Sequence, residues 1–114
     1  MNQRKYKLDP DTYEPSMAML CWMCAMLEQF GEDRWATMAQ STQSAGVRIE
    51  LGWIATQLFK DCGFIEWRPS GKRLEYFLTR EGAEFVRDVL KRYLRRKKAP
   101  KKVAARLKLA GFGV

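Results

Sequence analysis

Cys21 and Cys24 stand three residues apart and are the first residues whose spacing suggests chemistry. A Cys-x-x-Cys pair can supply half of a four-ligand zinc set, or cycle between dithiol and disulfide. The zinc option lacks partners, because the chain has no histidine and only Cys62 besides. The redox option wants the first cysteine at a helix N-terminus, where a thiolate is stabilised, and both cysteines fall well inside an apolar run. They read as buried structural thiols. Without histidine, general acid–base work would fall to carboxylates, lysine or cysteine. No nucleophile stands beside a base, and the late Gly111-Phe112-Gly113 is too short to cradle a phosphate. The expectation is a protein that is not an enzyme and needs no cofactor or metal.

The cations are more informative. Residues 1–67 hold 6 Lys+Arg against 9 Asp+Glu, a balance of −3, whereas residues 68–114 hold 15 against 4, a balance of +11. A one-ended basic surface is the electrostatic footprint of a polyanionic partner. The plain alternative is a solvated basic tail. The cations cluster at Arg68, Lys72 and Arg73, and again at Lys91, Arg92, Arg95, Arg96, Lys97 and Lys98. DNA is the expected partner, with RNA or an acidic protein as alternatives.

The 114 residues are enough for one domain with its own core. The longest wholly apolar run, residues 17–27, is too short for a membrane span of about 20 residues. It also lies too far in, behind Asp9, Asp11 and Glu14, to be a signal peptide. An odd number of cysteines without framework spacing favours a reducing compartment, so a cytoplasmic protein is expected.

The elements that must position the cations can be read in order. Residues 1–15 are polar, with two prolines, and read as a flexible arm with a turn at Asp9-Pro10-Asp11. Ser16 suits an N-cap, and residues 17–30 read as a helix stopped by Gly31. That helix is apolar all round, so a second helix or a partner copy must cover it. This motivates a homodimer through the first and last helices. Residues 32–39 read as a short helix with Trp35 and Met38 inward, followed by a polar connector, residues 40–44. Gly46 then makes a tight turn.

Residues 47–62 read as the third helix. Val47, Leu51, Ile54 (or Ala55), Leu58 and Cys62 repeat at helical spacing and should face the core. Arg48, Glu50, Trp53, Gln57, Lys60 and Asp61 should face outward. Residues 64–67 and 74–78 read as a hairpin around Pro69-Ser70-Gly71. Trp67 and Tyr76 would form a cross-strand pair, and Trp22, Trp35, Phe59, Phe64, Phe77 and Phe85 would fill the core. Thr79 opens a last long helix with a stripe of Phe85, Val86, Val89, Leu90, Tyr93 and Leu94. Pro100 ends or kinks it, leaving residues 99–114 as a basic tail.

The stretch from residue 46 to residue 86 resembles the winged helix-turn-helix superfamily, most nearly its MarR-like branch. Gly46-Val47 opens the third helix. Cys62-Gly63-Phe64-Ile65-Glu66 is similar to the Lys-Gly-Leu-Ile-Glu that ends a recognition helix and starts the wing. Leu78-Thr79-Arg80-Glu81-Gly82 is similar to the Leu-Thr-Glu-Glu-Gly that opens the helix after the wing. The resemblance covers about a third of the chain. It implies a mainly α fold with a small β-hairpin wing, formed by residues 16–98. It also implies a third helix in a DNA major groove and a hairpin tip on a neighbouring phosphate backbone. Arg48, Ile49, Glu50 and Trp53 would occupy base-reading positions, and Arg68, Lys72 and Arg73 the wing tip. Arg48 and Gln57 would supply base contacts, while Glu50 would accept from a cytosine amino group. The expected function is a small dimeric transcriptional regulator.

A second function fits the same fold. DNA-reading helices usually offer Ser, Thr, Arg, Asn or Gln where this one offers Ile49, Glu50, Leu51 and Trp53. Tryptophan and arginine dominate the energetics of protein interfaces. Ile49 and Trp53 would then dock a protein, as in transcription-complex subunits or phage- and plasmid-type inhibitors.

Overall fold

The structure, a computed structural model, describes residues 7–30 and 35–96. The elements run α1 (Met17–Ala25), a π-helical turn (Met26–Phe30), β1 (Ala36–Thr37), α2 (Met38–Ala45), α3 (Ile49–Asp61), β2 (Ile65–Ser70), β3 (Arg73–Leu78) and α4 (Arg80–Arg96). The protein is mainly helical with one small antiparallel sheet, ordered β1-β3-β2.

α1 starts where expected, its Ser16 hydroxyl accepting from the Met19 N–H at 3.1 Å. The helix is buried from Met19 through Ala25, and so is Met26. It packs against α2, α3 and α4 of its own chain, which answers the need for cover that had suggested a partner copy. Its last turn widens into the π-helical turn instead of continuing regularly to Phe30.

The second helix departs from expectation. It covers Met38–Ala45, including all of the stretch read as a connector, while Ala36–Thr37 is a strand paired to Tyr76 and Glu75 of β3. The local reasons are visible in retrospect. Thr37 and Gln40 form a reciprocal capping box, with Gln40 N–H donating to Thr37 Oγ1 at 3.2 Å and Thr37 N–H to Gln40 Oε1 at 2.8 Å. The polar Ser41 and Thr42 are buried because their hydroxyls donate to the Met38 carbonyl, at 2.9 and 2.7 Å. Gly46 ends the helix at φ 68°, the left-handed conformation that a side chain would strain. Gly31, Glu32 and Asp33 lie outside the described residues.

α3 begins one residue later than the base-reading set, with Arg48 as its extended N-cap. Of the alternatives at the core position, Ala55 is buried and Ile54 is not. Phe59 occupies the centre of the core. Its ring lies edge-on to Trp22 at 4.9 Å, to Phe64 at 5.4 Å and to Phe85 at 5.9 Å. Offset and edge-to-face contacts of this kind add to plain area burial. Trp35 and Phe77, expected in the core, are only half-buried and meet at 4.6 Å with their rings tilted by 54° beside the sheet. The pairing of β1 draws Trp35 out to the sheet.

The loop from α3 to β2 is clamped by the start of α4. Thr79 N–H donates to the Phe64 carbonyl at 2.8 Å. Its hydroxyl lies 3.1 Å from the Gly63 carbonyl and 3.0 Å from that of Phe64, and accepts from the Gly82 N–H at 3.0 Å. Gly82 is required by contact, since a Cβ there would run into the Phe64 carbonyl oxygen. Of the arm expected over residues 1–15, residues 1–6 lie outside the described residues, and residues 11–14 are held against α4. Arg92 donates to the carbonyls of Asp11 and Tyr13 and pairs with Glu14 at 3.3 Å, while the Tyr13 ring meets Phe85 at 5.8 Å. The expected turn at Asp9 is present, with Asp11 N–H donating to Asp9 Oδ1 at 2.9 Å.

Candidate functional site

The outward face of α3 and the hairpin together form the candidate site. Residues four and seven apart on a helix share a face. Ile49, Trp53 and Lys60 therefore line up along α3, with Glu50 and Gln57 beside them. Trp53 is 62% exposed, and Ile49, Glu50 and Gln57 are exposed as expected. Gln57 Nε2 donates to Asp61 Oδ1 at 3.0 Å, which occupies one of its donors.

The hairpin register runs Ile65↔Leu78, Glu66↔Phe77, Trp67↔Tyr76, Arg68↔Glu75, Pro69↔Leu74 and Ser70↔Arg73. Strand side chains alternate between faces. One face therefore carries the pairs Ile65/Leu78, Trp67/Tyr76 and Pro69/Leu74. It begins in the core, where Ile65 and Leu78 are fully buried, and ends in solvent, where Trp67 and Leu74 are each 41% exposed. Pro69 is tolerated because β2 is an edge strand. Burial raises the Tyr76 hydroxyl pKa. α3 meets this face at Lys60, whose Nζ lies 4.8 Å from the Trp67 ring centroid.

The expected cations sort into separate environments. Lys72 and Arg73 are exposed at the hairpin tip, and Arg48 is exposed at the start of α3. Arg68, on the opposite face of the wing, pairs with Glu75 at 3.1 Å and lies 4.1 Å over the Trp35 ring. Lys91 is exposed on α4. Arg92, expected among the DNA contacts, is turned inward to hold residues 11–14. Arg95 and Arg96 close α4, but their side chains, with Lys97 and Lys98, lie outside the described residues.

A second feature lies at the other edge of α3. An open cleft of about 750 Å³ runs between the start of α1 and the first turns of α3. Met17, Ala18, Cys21, Val47, Leu51 and Ile54 give it apolar walls, with Arg48 and Glu50 also in the lining. Ile54, one of the two alternatives for the inward position that Ala55 takes, is 66% exposed, and Met17 is exposed as well. Neither was singled out as a surface residue, because apolar periodicity alone assigns such positions to the core.

Cys21, Cys24 and Cys62 are buried and are not joined in disulfides. No group of three or more metal-ligating side chains occurs among the described residues. No helix among them is long and apolar enough to cross a membrane. Comparison with protein-family models, curated proteins and solved structures finds no match.

Proposed function

We propose that this chain is a small DNA-binding protein of winged-helix type, which contacts DNA with α3, the hairpin tip and the basic end of α4. The order of elements supports the reading: α2, a left-handed glycine and α3 make a helix-turn-helix, and a hairpin and a closing helix follow. So does the sheet order, in which a short strand ahead of α2 pairs with the second wing strand. One observation carries it furthest. α3 and the wing meet at Lys60 and Trp67, so the exposed helix face and the hairpin with Lys72 and Arg73 form one continuous surface.

Anisotropy against a randomised duplex pool tests the reading, at low and then physiological salt. Each phosphate contact contributes about 0.9 to the slope of log K against log salt. The double variant Lys72→Glu/Arg73→Glu is expected to weaken binding to all sequences alike and to reduce that slope by roughly two. Unchanged binding by this variant would remove the wing from the interface.

The exposed apolar side chains favour a second reading, a protein-docking module that uses Ile49 and Trp53. Trp53→Ala separates the two, since loss of a protein partner with DNA affinity intact would favour docking. The homodimer keeps no support from α1, whose apolar surface its own chain covers.

A further inference from the structure

The base-edge chemistry of α3 is thin. Reading the major groove takes side-chain donors and acceptors such as Arg, Asn or Gln. Here the outward face offers Arg48 and a Gln57 already engaged with Asp61, alongside Ile49, Glu50 and Trp53. The same surface carries two exposed tryptophans, Trp53 on α3 and Trp67 on the wing, and Lys60 covers one face of the Trp67 ring. Trp53 lies two turns from Lys60, about 10 Å along the helix. Lys60 in turn touches Trp67, so the two rings flank one cation on one strip.

We infer that this strip binds single-stranded nucleic acid, with unstacked bases on Trp53 and Trp67, the phosphate between them on Lys60, and the phosphates that follow on Lys72 and Arg73 at the hairpin tip. The inference rests on the nucleic-acid reading above and changes its substrate from duplex to single strand. Stacking on aromatic side chains needs no base-edge donors and tolerates any sequence, because every base has a π-face. The charges agree with this occupant. Arg48, Lys60, Lys72 and Arg73 outnumber Glu50 and Asp61 around the strip, and Asp61 accepts from Gln57. On the far face of the wing Glu75 is neutralised by Arg68. An acidic protein partner would match the cations and could pair with the open edge of β2, and the test below separates it from a nucleic acid. Leu74 and Pro69 at the wing end widen the apolar floor beside Trp67.

The test uses the full chain and labelled homopolymers of about 12 nucleotides, within the usual single-strand site range. Oligothymidylate and oligouridylate are compared with a duplex of equal length, and intrinsic tryptophan fluorescence is followed in parallel. Single strands are expected to bind more tightly than duplex and to quench tryptophan emission. Trp53→Ala and Trp67→Ala should each weaken single-strand binding about 5- to 150-fold, while the Phe variants keep most of it. Both rings are exposed, so unchanged melting of the variants certifies their fold. If an Ala variant fails to fold, the Phe variant together with the wild-type quenching decides. Equal affinity for thymidylate and uridylate marks recognition of the bases alone, and a preference for uridylate adds the 2′-hydroxyl; both support the strip. Duplex binding as tight as single-strand binding, with Trp53→Ala and Trp67→Ala unaffected, overturns the inference and leaves the DNA-binding reading standing. Failure of both nucleic acids to bind overturns both readings and returns the tryptophans to protein docking.

Discussion

Phe59 shows how one side chain can hold several elements. It belongs to α3, yet its ring faces Trp22 of α1, Phe64 ahead of β2 and Phe85 of α4. Truncation leaves a cavity that rigid neighbours cannot fill, and Phe59→Ala is expected to cost about 3–5 kcal/mol in urea unfolding. A loss below about 1 kcal/mol would mean that these contacts are dispensable. Gly82 gives a sharper test, because two effects oppose each other. Alanine inside a helix ordinarily gains about 0.8–1.0 kcal/mol over glycine. At Gly82 its Cβ meets a backbone carbonyl, which cannot swing away as a flexible side chain would. Gly82→Ala should therefore lower the unfolding midpoint; a rise would show that the α4–loop clamp is loose.

At the scale of elements, α4 fastens two segments far apart in the chain, residues 11–14 and the loop after α3. Its first turn binds the loop after α3 through Thr79, and Arg92 near its far end binds residues 11–14. Replacing Arg92 by methionine keeps the aliphatic stem and removes the donors. The Thr12 and Tyr13 amides, which donate to the Asp9 carbonyl at 3.1 and 3.0 Å, should then exchange faster with solvent. Exchange at Phe64, inside the other clamp, should not change. A uniform rise at both places would instead indicate global destabilisation. α2 depends on its ends in the same way, and loss of the Thr37 cap in Thr37→Ala is expected to cost about 1 kcal/mol.

At the scale of the whole molecule, two tyrosines among the described residues add to the response to alkaline pH. Burial, and secondarily the nearby Cys62 sulfur, raises the Tyr13 hydroxyl above its ordinary 10.0, and burial raises that of Tyr76. In the unfolded chain these hydroxyls lose their protons near 10, while in the folded chain they still hold them. The folded state then binds more protons, so stability is intact below about pH 10 and falls as pH rises towards the folded values. Urea midpoints measured from about pH 8 to about pH 11 should drop at the alkaline end, and the drop should shrink in Tyr13→Phe. A flat profile would mean that neither hydroxyl changes environment on folding. Association is a second property of the whole. Because α1 is covered from within, sedimentation without nucleic acid should show a monomer. A concentration-dependent dimer would direct attention to Met17 and Ile54 at the edge of the cleft.

The sequence by itself determined the features that rest on local chemistry. Ser16 and Thr79 cap helices, Gly46 turns the chain, Asp9 makes its turn, and a hairpin forms around Pro69-Ser70-Gly71, although Pro69 and Ser70 extend its first strand and the turn falls at Gly71-Lys72. The outward face of α3 was legible too, since 3.6-residue periodicity places Arg48, Glu50, Trp53 and Gln57 together. Periodicity could not choose between Ile54 and Ala55, because adjacent residues lie only about 100° apart on a helix. Long-range partners settled the rest. The strand at Ala36–Thr37 exists only because β3 is there to pair with it, and that pairing moved α2 along the chain and drew Trp35 to the sheet. Arg92 looked like its basic neighbours in composition, yet carbonyls 79 and 81 residues earlier claim it. The joining of Lys60 to Trp67, which makes a helix and a wing into one surface, was likewise decided only in the tertiary structure. Contacts between residues far apart in sequence leave no mark in the local pattern of either partner.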